Sequence, residues 1–208
     1  MIAEELRSKG ITDEKVLRAM DSVERKGFVP SHLMDIAYQD SALPIGHGQT
    51  ISQPFVVALM TEQLDVSKKH KVLEIGAGSG YQSAVLAELA GKVYTVEIIK
   101  ALAARARQNL EKTGYRNVEV RHSDGYLGWE ENAPFDRIMI TAAVDHVPPL
   151  LFDQLKDGGR MVLPLGRMTS FQTLTLVTKK GTERITEHIA GVMFVPMTGR
   201  AQEARQKS

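Results

Sequence analysis

From Lys71 onward, short apolar runs alternate with longer stretches in which apolar residues recur at helical spacing. The runs at 71–75, 92–96, 117–121 and 135–141 predict strands, and 81–90 and 99–113 predict helices. Pro148-Pro149 opens a short helix expected through Leu155, Asp157-Gly158-Gly159 reads as a turn, and Arg160 to Leu165 as the next strand. Phe171 to Thr178 alternates in β-rich residues and predicts an antiparallel edge strand, closed by a turn at Lys179-Lys180-Gly181. Before Lys69 the pattern is helical and irregular. Ile11, Val16, Leu17, Met20 and Val23 make a helical stripe, with Thr12 or Asp13 as N-cap and Gly27 as its stop, before Phe28-Val29-Pro30 turns the chain. Phe55, Val56, Leu59, Met60 and Leu64 mark the apolar side of a helix from Pro54 to Leu64.

Alternation of this kind predicts a doubly wound, mostly parallel sheet whose ligand crevice lies at the carboxyl ends of the strands. One domain is expected over 1–208, with a helical extension at 1–69 and the core at 70–200. Composition changes this picture little. Apolar content of 43% and charge content of 25% suit a globular chain. A net charge of +1 gives no reason to expect nucleic acid. No apolar run approaches the roughly 18 residues of a membrane span, and Met1 to Gly10 lacks a signal-peptide core. The absence of cysteine excludes disulfides and a cysteine nucleophile and fits a cytoplasmic location. We expect a monomer with a polar, frayed tail at Gln202 to Ser208.

The chemistry concentrates at Glu74-Ile75-Gly76-Ala77-Gly78-Ser79-Gly80-Tyr81, where a strand runs through a glycine turn into a helix. Such a turn can set bare backbone N–H groups against a ligand. About twenty residues on, Glu97 ends the next strand, where an acidic side chain can accept both hydroxyls of a ribose. A dinucleotide site would place glycine at the sixth position of the turn, which here is Tyr81, so a dehydrogenase is disfavoured. The pattern E-x-G-x-G-x-G instead resembles motif I of S-adenosylmethionine methyltransferases. Asp124-Gly125 follows the third strand, where the carboxylate could accept the adenine amine; an ordinary Asp-Gly turn is the alternative.

Upstream lies Ala42-Leu43-Pro44-Ile45-Gly46-His47-Gly48-Gln49-Thr50-Ile51-Ser52-Gln53-Pro54, too rich in glycine and proline for regular structure and too apolar for an idle loop. With the glycine motif, this segment closely resembles the protein-L-isoaspartate O-methyltransferases. The resemblance continues through Leu127-Gly128-Trp129, Ala133-Pro134-Phe135-Asp136, Thr141-Ala142-Ala143, Leu163-Pro164-Leu165-Gly166 and Phe194-Val195-Pro196-Met197. Ser123, Asp145-His146 and Met197 depart from the family's commoner residues.

The resemblance implies a Rossmann-like, seven-stranded sheet and methylation of the free α-carboxylate of L-isoaspartyl residues in damaged proteins and peptides. S-adenosyl-L-methionine would be the donor, S-adenosyl-L-homocysteine the product, and no metal is needed. A carboxylate of pKa about 3.5 is already ionised at neutral pH, so no general base is required. Orientation then dominates, worth up to roughly 7–11 kcal/mol in ideal cases. The residues implied for the donor are Glu74, Gly76, Gly78, Ser79, Gly80, Glu97, Asp124, Gly125 and Thr141. Ser52 is the implied active-site residue, with Thr50, Ile51, Val195 and Pro196 beside the substrate. From the residues alone, Ser52 reads equally well as an N-cap ahead of Pro54, and Ile51 as core. His47 reads as a solvated loop histidine rather than a base. The rivals are an RNA or small-molecule methyltransferase, and a binder that has lost its chemistry.

Overall fold

The computed structural model describes residues 2–167 and 171–201; the predicted frayed tail lies outside them. The chain opens with α1 (Ile2–Ser8) and α2 (Glu14–Ser22). Asp13 caps α2, its carboxylate accepting from Lys15 N–H at 2.7 Å. The helix stops at Ser22, earlier than Gly27, which sits within a 3₁₀ turn at Arg25–Phe28. Ile11, Val16, Leu17, Met20 and Val23 are all buried, as their spacing predicts.

The segment expected to be irregular is a hairpin. Its strands, β1 (Leu43–Gly46) and β2 (Gln49–Ile51), pair antiparallel with Leu43 opposite Ile51. Pro44 is tolerated because the hairpin is two-stranded and both of its strands are edges. Gly46, His47 and Gly48 turn it with φ of 89°, 55° and 70°, a conformation that favours glycine at the two outer places. Helix α3 (Pro54–Leu64) follows. It buries Val57, Ala58, Met60, Thr61 and Leu64, while Phe55, Val56 and Leu59 are only half-buried, so its inner face is rotated from the predicted one.

Then come β3 (Lys71–Ile75), α4 (Tyr81–Leu89), β4 (Lys92–Glu97), α5 (Lys100–Lys112), β5 (Val118–His122), β6 (Phe135–Ile140), α6 (Pro149–Asp153), β7 (Leu155–Leu165), β8 (Gln172–Lys180) and β9 (Glu183–Val192). They form a seven-stranded sheet of order β5-β4-β3-β6-β7-β8-β9, parallel from β5 to β7 and antiparallel beyond. Successive strand residues face opposite sides of the sheet: Val72, Met139 and Val162 belong to one apolar cluster, Leu73, Ile138 and Met161 to the other.

The later strands differ from the prediction. Asp157-Gly158-Gly159 is not a turn between elements but part of β7, looped out between the pairs Phe135–Leu155 and Arg137–Arg160. Gly158, at φ 71°, lets the strand bulge and resume. The strand predicted at the edge, β8, lies between β7 and β9; the edge is β9, which has almost no apolar alternation because it is exposed, and its pairing with β8 defines it. The order reverses between β3 and β6, and the registers Ile75–Val96 and Ile75–Ile140 set the next residues, Gly76, Glu97 and Thr141, side by side. That is the switch point where open α/β sheets leave a crevice. Among the described residues no helix is long and apolar enough to cross a membrane.

Candidate active site

A two-lobed cleft occupies this switch point. The larger lobe, about 600 Å³ including its mouth, is lined by Gln49, Thr50, Gly76, Gly78, Glu97, Ile98, Ile99, Gly125, Thr141, Ala142 and Val195 to Thr198. The smaller, about 410 Å³, is lined by Thr50, Ile51, Ser52, Gly76 to Ser79, Tyr81, Gln82 and Thr141. Thr50, Gly76, Gly78 and Thr141 border both, so the glycine turn is the partition between them.

Four N–H groups of the turn that were expected to be bare are engaged within the protein. Gly76 N–H and Ala77 N–H donate to Val96 O at 2.8 and 3.3 Å, Gly78 N–H to Glu97 Oε2 at 2.9 Å, and Gly80 N–H to Ala77 O at 2.8 Å. What the glycines supply is room. A side chain on Gly76 (φ 100°) would run into the Thr141 hydroxyl, whose single O–H is shared between Ile75 O and Gly76 O, each at 2.8 Å. Gly80 serves another purpose: its Cα faces Ala106 and Leu110 of α5, so it allows helix packing and stands outside both lobes.

Glu97 is held by its neighbours. Its carboxylate accepts from Gly78 N–H and from Ile99 N–H, each at 2.9 Å, and only 5% of the residue is exposed. A carboxylate has about four lone-pair sites, so two acceptor directions remain for a ligand. Glu74 is a different case. It is fully buried, Ser83 Oγ donates to its Oε2, and its Oε1 and the Thr95 hydroxyl lack partners in the protein. It lines neither lobe, so the expected direct contact with a donor is corrected here: the side chain points to α4, beneath the turn. Burial, helped by the negative field of Glu97, pushes its pKa up to about 8.

Asp124 binds the chain's own backbone. Its Oδ1 accepts from Tyr126 N–H at 2.9 Å and its Oδ2 from Arg200 N–H at 2.8 Å; Gly125, not Asp124, forms the lobe wall. The strap from Val195 to Arg200 crosses the lobe to reach it. Ala143 N–H donates to Val195 O at 2.8 Å and Met197 N–H to Ala143 O at 2.9 Å, which brings Met197 and Thr198 over the cleft. Gly199, at φ 80°, is needed because a side chain there would strike the Asp124 carboxylate.

Ser52 borders the smaller lobe on the linker between β2 and α3. The N-cap of α3 is Gln53, with no side-chain capping bond. Asp40 does the capping from outside the helix: its Oδ1 accepts Phe55 N–H at 2.8 Å, while Lys9 Nζ donates to Oδ2 at 2.6 Å. Capping therefore does not claim the Ser52 hydroxyl. Ile51 is both core and wall, 4% exposed and part of the main apolar cluster. Arg105 of α5 donates to Ile45 O and so ties the hairpin down over the turn. His47 lies exposed at the hairpin tip and lines neither lobe.

Sequence reasoning missed Gln49, Gln82, Ile98, Ile99 and Thr198. Gln82 had a readable signal, a long polar side chain in the first turn of an otherwise largely apolar helix. It is 8% exposed and donates to the Thr61 hydroxyl at 3.0 Å. Tyr81 fills space away from the strand, edge-on to Phe28 at 5.7 Å between ring centres and under the Arg25 guanidinium at 4.8 Å.

Comparison with known proteins bears on this geometry. The family model for protein-L-isoaspartate(D-aspartate) O-methyltransferase matches residues 1–202. Protein-L-isoaspartate O-methyltransferase 2 of Shewanella sediminis is 56% identical over 201 residues, 97% of this chain and 82% of that protein. The protein-L-isoaspartate O-methyltransferase of Dictyoglomus thermophilum is 52% identical over 198 residues, 95% of this chain and 90% of that protein. Among solved structures, a protein-L-isoaspartate O-methyltransferase superposes with a TM-score of 0.90 at 30% identity, covering 99% of this chain and 68% of that one. A Plasmodium falciparum protein assigned to the same enzymes, in complex with S-adenosyl-L-homocysteine, gives 0.84 at 26% identity, covering 95% and 96%. With its cleft at the switch point and these matches along nearly its whole length, the chain belongs to the protein-L-isoaspartate(D-aspartate) O-methyltransferase family.

Proposed function

We propose that this chain moves a methyl group from S-adenosylmethionine to the free α-carboxylate of L-isoaspartyl residues in damaged proteins and peptides. One observation carries the reading: two lobes meet across side-chain-free Gly76 and Gly78, with Glu97 at the wall of one and Ser52 at the wall of the other. The residues present fit the donor. A side chain at Gly76 would strike Thr141, which borders both lobes with it, and Glu97 keeps acceptor capacity at the wall of the larger lobe.

In this reading Glu97 holds the ribose hydroxyls, Ile98, Ile99 and Gly125 flank the base, and Gly76, Gly78, Ser79 and Thr141 line the path to the other lobe. Asp124, expected at the exocyclic amine, lines neither lobe; it anchors Tyr126 and the strap and so sets Gly125 in the wall beside the base. Gly80 and Glu74 act from behind, by packing. S-adenosylmethionine, when bound, supplies a methyl already activated on sulfonium. Ser52 holds the acceptor carboxylate or its adjoining peptide by a hydrogen bond. Thr50 and Ile51 flank it in the smaller lobe, while Val195 and Pro196, expected beside the substrate, stand in the wall of the larger lobe across the partition; together they keep water away from a step in which opposite charges meet. The extension before β3 supplies Gln49 to Ser52 and the later core supplies the rest, all from one chain, which supports a monomer as the working unit.

The test is transfer of labelled methyl from S-adenosylmethionine to an isoaspartyl peptide, with its aspartyl twin as control. The reading expects label on the first only. Equal labelling of both peptides, or of neither, would overturn it.

A further inference from the structure

We propose that Asp145, His146 and Tyr126 form a latch that fixes the adenine-side wall of the larger lobe and so sets affinity for the donor without touching it. The inference rests on the donor reading of that lobe. His146 Nδ1 lies 2.6 Å from Asp145 Oδ1, and its Nε2 lies 2.9 Å from the Tyr126 hydroxyl. The two rings meet edge-on, with centres 6.0 Å apart.

Protonation follows from the surroundings. Burial and the charge of Asp145 raise the pKa of Tyr126, so the phenol keeps its proton and donates it to Nε2. Nδ1–H then donates to Asp145, whose carboxylate selects that tautomer. A relay that makes phenolate is disfavoured by the same field, and the three side chains hold position instead.

What they hold is specific. Tyr126 is the second residue after Asp124, and its own N–H donates to Asp124 Oδ1. It is thus fixed at its main chain by Asp124 and at its phenol by His146, with wall residue Gly125 between. His146 lies on the segment after β6, where Ala143 bridges to Pro196 of the strap. The latch therefore closes a loop across three pieces of the lobe: the turn after β5, the segment after β6, and the strap that ends on Asp124.

Calorimetric titration of S-adenosylhomocysteine tests this with wild type, Tyr126→Phe, His146→Ala, the double variant and His146→Gln. Each single change is expected to weaken binding about three- to tenfold, the scale of one lost hydrogen bond. The double variant should bind no worse than the weaker single one, since both break one chain of contacts. Gln, which can still accept from the phenol, should recover part of the loss. The donor KM should rise by the same factor with kcat within about twofold and with melting temperature lower by no more than a few degrees. Variants that bind like a binding-competent wild type would overturn the latch alone. Losses that multiply, or a fall in kcat and melting temperature together, would also overturn it. No binding by wild type would overturn the donor reading and the latch with it.

Discussion

Two glutamates flank the glycine turn on adjacent strands, and their surroundings give them opposite work. Glu97, the last residue of β4, accepts two backbone N–H groups and faces the cleft. Glu74, one residue before the end of β3, is sealed between sheet and α4, where Ser83 donates to it. The first is a prepared acceptor, with its position fixed before any ligand arrives. The second is held close to neutrality by burial, and a neutral acid bonded to Ser83 ties the strand before the turn to the helix after it. An acidic residue near a glycine motif thus has no single meaning; one step along a strand exchanges cleft for core.

The change that should erase the comparison is Gly76→Val. The added side chain meets Thr141 and the φ of 100° is strained for valine. S-adenosylhomocysteine binding should fall by at least about a hundredfold. Near-native affinity would show that the partition between the lobes is not where the donor lies. Glu97→Ala should come next. It removes hydrogen bonds to a charged acceptor, each worth about 1.5–3 kcal/mol, and calorimetry should read a loss of about ten- to a hundredfold. Unchanged affinity would refute its assignment to the ribose.

Glu74→Gln should have the smallest effect on binding, within about threefold, because the isostere keeps an acceptor for Ser83. Its signature is in stability against pH. The folded pKa of Glu74, about 8, lies above the ordinary value of 4.5. The folded state therefore holds the proton more tightly, and that stabilisation, complete below the unfolded value, is lost as pH rises through this window. Glutamine has nothing to lose there. The variant should gain on wild type between pH 5 and pH 8, by up to about 1.4 kcal/mol per pH unit. In thermal melts this would be a gap widening by about 5 °C or more. A gap that stays constant with pH would mean Glu74 ionises normally in the folded protein.

Much of this was legible in the chain. Apolar runs such as Val72-Leu73 mark strands because both faces of a parallel sheet are covered. Gly76, Gly78, Glu97 and Thr141 could be brought to one cleft from strand ends alone. The rest depended on contacts distant in sequence. Asp40 caps α3 from outside the helix and frees Ser52 of that task, which no local pattern announces. The hairpin at Leu43 to Ile51 looked irregular because its glycines serve a turn and its strands are short. The N–H groups of Gly76, Ala77 and Gly78 are engaged by Val96 and Glu97, a fact set by the register of β3 on β4. The strap's hold on Asp124 joins residues 76 positions apart.

The central claim is a division of labour between the lobes, donor at Glu97 and acceptor at Ser52. It is tested most directly by measuring, on Ser52→Ala and wild type side by side, S-adenosylhomocysteine affinity and methyl transfer to an isoaspartyl peptide. The account predicts unaltered affinity with turnover reduced by about tenfold or more, the scale of a lost positioning hydrogen bond. Equal turnover in the two proteins, or a loss of affinity that accounts for all of the lost transfer, would contradict it.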